Sequence, residues 1–154
     1  MRAVIQRVIS SQVTIEHKVE GSIKKGLTVF LGVGQSDSLT DVTWLADKIM
    51  NLRIFEDNAG KMNLSVKNID GELLIISQFT LYGDCKKGNR PNFMSAADPE
   101  KAKVLYNLFL QYITDNYTNK IQSGIFAADM EVSIINDGPV TILLDSKVKT
   151  GEAE

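Results

Sequence analysis

Scarcity defines this 154-residue chain first: one cysteine, one histidine, one tryptophan and three prolines. The lone Cys85 excludes an intramolecular disulfide and a multi-cysteine zinc site, and it fits a reducing cytoplasm. With His17 as the sole histidine, multi-histidine metal centres are excluded, and any Ser-His or Cys-His nucleophile pair would depend on one residue in an expected turn. Neither metal nor cofactor is expected. No apolar run reaches membrane-spanning length, and the first ten residues interrupt their apolar positions with Arg2, Gln6 and Arg7, which leaves no signal-peptide core. A strong charge of either sign is also missing. The formal net charge of −2 leaves any contact with nucleic acid to a local basic patch.

What is present suffices for one domain: 44% hydrophobic and 23% charged residues, with no repeat, linker or low-complexity stretch. Residues 1–146 are expected to form it, and residues 147–154, without apolar period, a flexible tail. Residues 2–33 are rich in Val, Ile, Thr and Phe and break at His17-Lys18 and Lys24-Lys25-Gly26, which predicts three or four antiparallel strands. Ser38 and Asp41 form a loose capping box ahead of Val42, Leu45, Ile49 and Leu52 at helical spacing, so residues 39–52 are predicted helical. Asp98-Pro99-Glu100 supplies an N-cap, an N1 proline and a first-turn acid for a second helix to about residue 117. Together these elements predict an α+β domain, a mostly antiparallel, barrel-like sheet with two main amphipathic helices packed on it.

Polar groups enter this pattern at a few places. Leu73-Leu74-Ile75-Ile76 is an unalternated run, the mark of a strand covered on both faces, and it is expected to continue into Ser77-Gln78-Phe79-Thr80. Arg7 sits in an apolar strand, either as an edge charge reaching solvent or as a buried charge in need of a partner. Asn136-Asp137-Gly138-Pro139-Val140-Thr141 lies between two apolar runs and reads as a tight hairpin turn whose Gly-Pro unit turns main-chain carbonyls outward. Lys86, Lys87 and Arg90 cluster in a long loop, suited equally to solvent or to phosphates. No paired carboxylates stand out for acid/base work, and nothing near Ser77 or Thr80 would activate a hydroxyl.

Two of these stretches, Ser77-Gln78-Phe79-Thr80-Leu81 and Asn136-Asp137-Gly138-Pro139-Val140-Thr141, resemble the signature motifs of the D-aminoacyl-tRNA deacylases. Met1-Arg2-Ala3-Val4-Ile5-Gln6-Arg7-Val8, Gly60-Lys61-Met62-Asn63 and Lys86-Lys87-Gly88-Asn89-Arg90-Pro91 are similar to the family as well, in its order, through about Asp145. The resemblance implies a homodimer with active sites at the subunit interface, acting on D-aminoacyl-tRNA and on mischarged glycyl-tRNA. It implies a cis Gly138-Pro139 bond whose carbonyls enter the partner's pocket and reject L side chains, with Arg7 fixing their orientation. Ser77, Gln78, Phe79 and Thr80 would line the site, with main-chain donors near Phe79 and Thr80 facing the ester carbonyl and the tRNA 2′-hydroxyl assisting hydrolysis. Met130 and Phe126 would belong to the pocket wall. A noncatalytic RNA-binding module using the loop from Lys86 to Arg90 is the alternative.

Overall fold

The computed structural model describes residues 1–148; residues 149–154, most of the expected tail, lie outside the described residues. Three strands open the chain, as the breaks in composition predict: β1 (Arg2–Ile15), β2 (Lys18–Ile23) and β3 (Gly26–Gly32). His17 sits in the β1–β2 turn. Then follow α1 (Leu39–Asn51), the short pair β4 (Phe55–Glu56) and β5 (Met62–Leu64), and β6 (Glu72–Ser77). A 3₁₀ turn (Phe79–Tyr82), α2 (Pro99–Asn116), β7 (Ile121–Ser123) and β8 (Glu131–Asp145) complete the main elements.

β1 organises the sheet. Its first half pairs with β3 and its second half with β2, while β8 runs antiparallel along the opposite edge. β3 then pairs with β6, and β6 with β7, both parallel, so the sheet is mostly antiparallel, as expected, with two parallel pairings at one side. The sheet curls until β2 meets β7, and a β-carbon on Gly21 would stand 3.2 Å from Gln122 Cβ. A nearly closed, barrel-like sheet results. Both α1 and α2 pack on its outer face over Leu27, Val29, Leu31, Leu73 and Ile75, while Leu74 and Ile76 join Val8, Val13 and Ile23 in a second cluster. β6 is therefore buried on both faces, which is why its sequence does not alternate.

Both helices start where their caps predict. The Asp41 carboxylate accepts the Ser38 N–H at 2.9 Å, and the Asp98 carboxylate accepts the Lys101 N–H at 2.9 Å. Trp44 and Met50 pack in or against the core. Asp41 also ties down the residues that follow β8: it accepts from Ser146 Oγ at 2.7 Å and pairs with Lys147 Nζ at 2.9 Å. Burial pushes its carboxyl up, but the bonds from Ser146, Lys147 and Ser38 prevail and hold it below the usual carboxylate range.

Three expectations are corrected. Residues 136–141 are no hairpin turn: β8 is one continuous strand, and its register against β1 jumps from Gln6–Thr141 to Val8–Asn136. Residues 137–140 thus stand opposite Arg7 alone, as a wide bulge. Asp-Gly between apolar runs suits a bulge as well as a hairpin, and only pairing with β1 distinguishes them. Second, β6 ends at Ser77, and the chain tightens into the 3₁₀ turn instead of extending through Thr80. Third, Arg7 does not reach solvent as an edge charge; it is 5% exposed, because β3 and β8 flank β1 on both sides.

Candidate active site

Where β3 and β6 end beside the start of α2, the fold leaves a cleft of about 510 Å³. Ser77, Gln78 and Phe79 form one side of it. Phe126 and Met130, from the segment before β8, form another. Five of the residues singled out from sequence therefore meet in one cavity. Thr80 is exposed beside it, its hydroxyl bonded by Gln78 Nε2. Within the 3₁₀ turn the bonds begin with the Leu81 N–H, to Gln78 O at 3.4 Å, so the Phe79 and Thr80 N–H groups lie ahead of the first internal bond.

Sequence reasoning missed the far side of the cleft. Ala102 and Tyr106, both on α2, line it together with Leu31, Val33, Ala97 and Asp129. The buried Tyr106 hydroxyl donates to Ile75 O at 2.9 Å, and its ring lies 5.8 Å from that of Phe126. Burial raises its phenol well above the usual range, so it stays protonated. A phenol on an otherwise apolar helix face was the only signal available. Asp129 and Tyr106 are the ionisable groups among the described residues lining the cleft; the Asp129 carboxylate is exposed, and no hydrogen bond joins it to the Ser77 or Thr80 hydroxyl.

Anchors hold the 3₁₀ turn in place. Tyr82, at its end, donates to the buried Asp37 carboxylate at 3.2 Å and carries the Arg2 guanidinium over its ring at 4.6 Å. Phe79 is 57% exposed and meets Phe93 edge-on at 5.2 Å. Phe93 closes the loop that carries Lys86, Lys87 and Arg90, all exposed, and the Asp84–Asn92 bridge ties the loop's ends.

Arg7, Gly138 and Pro139 assemble elsewhere, at the bulge. Arg7 Nε donates to Asp137 O at 3.1 Å and lies 3.4 Å from Asp137 Oδ2, while Nη1 donates to Ile54 O at 2.6 Å. The Gly138-Pro139 peptide is cis, and both residues are exposed. Gly138 has φ +120°, a conformation that side chains resist, and a β-carbon there would stand 2.9 Å from Arg7 Nη2. This corner does not line the cleft of its own chain. The strands that carry it, β1 and β8, also expose apolar side chains: Ile9, Ile135 and Leu143 at 56%, 58% and 75%.

These features define a class: an α+β domain with a cleft at the end of a buried strand, lined there by Ser77, Gln78 and Phe79, and a Gly-cisPro corner in a bulge of the same sheet. The chain belongs to the D-Tyr-tRNA(Tyr) deacylase family, whose model matches residues 4–145. It is 56% identical over 147 residues to the D-aminoacyl-tRNA deacylase of Petrotoga mobilis, covering 96% of this chain and 98% of that one. It is 58% identical over 146 residues to the enzyme of the same name from Clostridium botulinum (strain Alaska E43 / Type E3), covering 95% and 97%. Among solved structures, a c-Myc DNA unwinding element binding protein superposes with a TM-score of 0.90 at 41% identity, covering 94% of this chain and 98% of that one. A probable eukaryotic D-amino acid tRNA deacylase shares the fold, with a TM-score of 0.79 at 16% identity over 93% and 97% of the chains.

Proposed function

We propose that this protein hydrolyses the ester bond of D-aminoacyl-tRNA, releasing the D-amino acid and tRNA with a free terminal hydroxyl. The observation that carries the reading is the cleft at the end of β6, where Ser77, Gln78 and Phe79 of the first family motif meet Phe126 and Met130. Water attacks the ester carbonyl, the carbon–oxygen bond to the ribose breaks, and the developing oxyanion takes hydrogen bonds from the Phe79 and Thr80 main-chain N–H groups. The Thr80 hydroxyl is bonded by Gln78 and by no carboxylate, so it is not the nucleophile, and the neighbouring ribose 2′-hydroxyl assists the water.

Handedness is sorted by the Gly138-Pro139 corner of a second copy, whose carbonyls hold the substrate's α-amino group and leave no room for an L side chain. Glycyl-tRNA passes the same filter because glycine has no side chain to reject. Arg7 supports this reading by gripping Asp137, and the exposed Ile9, Ile135 and Leu143 supply apolar surface for a homodimer. Lys86, Lys87 and Arg90 contact tRNA phosphates at the mouth.

Purified protein incubated with D-tyrosyl-tRNA and L-tyrosyl-tRNA should release only the D-amino acid, with EDTA making no difference. Equal cleavage of both, or none, defeats the reading; tRNA binding without turnover would indicate a noncatalytic RNA-binding module instead. Gly138→Ala should lower the initial rate more than Thr80→Ala, and the opposite order would point to Thr80 as a nucleophile instead.

A further inference from the structure

We infer that Gly124 sets the width of the cleft by leaving the Met130 thioether a place to lie, an inference that rests on the cleft being the substrate site. Gly124 follows β7 directly, and its N–H donates to Ile75 O at 3.2 Å, which ties its backbone to β6. Met130 folds back over it. A β-carbon at residue 124 would stand 2.3 Å from Met130 Sδ and 3.6 Å from its Cε, whereas the remaining neighbour, Ile76 Cδ1, lies at an ordinary 3.5 Å. Positive φ is confined to Gly60, Gly88 and Gly138 among the described glycines, so a side chain at residue 124 meets no backbone obstacle.

Relief of that single contact falls to Met130. Its unbranched side chain turns about three bonds and moves more easily than a hydrogen-bonded backbone. On one flank it packs against the cluster of Val8, Val13, Ile23, Leu74 and Ile76, whose members are at most 3% exposed, and protein interiors are close-packed. The open direction is the cleft, which Met130 borders together with Ile76, Ser77 and Phe126. Gly124 is therefore a positioning residue. It touches no substrate, yet it fixes how far the Met130 side chain stands from one.

The test is a double-mutant cycle on the full chain with D-tyrosyl-tRNA, comparing Gly124→Ala, Met130→Ala and the two combined. Gly124→Ala should melt with the unaltered protein and lose about tenfold or more in kcat/KM, mostly through KM, since misplacement by about an ångström is enough for such losses. In the Met130→Ala background the same change should do nothing further. An equal loss in both backgrounds, or a melting temperature that falls with activity, overturns the assignment, because the backbone and not Met130 would then have yielded. Ala128→Trp, which fills the cleft directly, separates the two readings. If it leaves turnover intact the cleft is not the substrate site and both readings fall; if it abolishes turnover while Gly124→Ala is silent, only the role of Gly124 falls.

Discussion

Replacing Arg7 by lysine keeps the charge and removes the fork. The guanidinium reaches Asp137 O from Nε at 3.1 Å and Ile54 O from Nη1 at 2.6 Å, so one planar group joins a carbonyl of β8 to one just before β4. A lysine ammonium is a point donor on a flexible stem and cannot span both. At least one carbonyl loses its charged donor, and because Arg7 is 5% exposed, water does not replace it freely. A hydrogen bond to a charged group contributes about 1.5–3 kcal/mol, so Arg7→Lys should lose about 2 kcal/mol of stability. For a chain of this length that corresponds to about 4–8 °C in Tm, read by circular dichroism. The bulge it grips should also loosen, so cleavage of D-tyrosyl-tRNA should slow and the D over L ratio should fall. A melting curve that coincides with the unaltered protein's, with the ratio intact, would refute the account of Arg7 as the anchor of residues 137–140.

Other perturbations test other parts of the molecule. Phe109→Ala empties a fully buried site on the inner face of α2 and should lose about 3–5 kcal/mol in a urea titration at unchanged slope. Asp41 has its carboxyl held below the usual range when folded, whereas unfolded it titrates near about 3.9, so its contribution is complete above that value and drains away as the pH falls toward the folded one. Asp41→Asn should therefore be less stable than the unaltered protein at pH 7, by about 2–3 kcal/mol, with the gap narrowing steadily in acid below about pH 4; a gap independent of pH would contradict this. Neutralising Lys86, Lys87 and Arg90 together should weaken tRNA binding and reduce the slope of log affinity against log salt by about 2–3, and an unchanged slope would remove the loop from the RNA surface.

Much of this architecture follows from local signals. Asp98-Pro99-Glu100 starts α2 because a side-chain acceptor, a missing N–H and a first-turn acid all favour the same end of a helix. The unalternated Leu73-Leu74-Ile75-Ile76 required cover on both faces, and β6 has it. Polar Ser77 and Gln78 at the end of a buried strand signalled only a need for partners; it was resemblance that named Ser77, Gln78, Phe79, Phe126 and Met130 together, and all five line one cleft. Distances along the chain say nothing of what faces Arg7. Only the antiparallel pairing of β1 with β8, residues about 130 positions apart in sequence, sets residues 137–140 against that one side chain and makes a bulge of what reads locally as a hairpin. Tyr106 joins the cleft for the same reason: its helical period marks it as buried, but which buried residues line a cavity depends on how α2 lies across the ends of β3 and β6. Residue type and spacing determined the elements; the closing of the sheet decided which of their side chains meet, because those contacts join segments that no local preference connects.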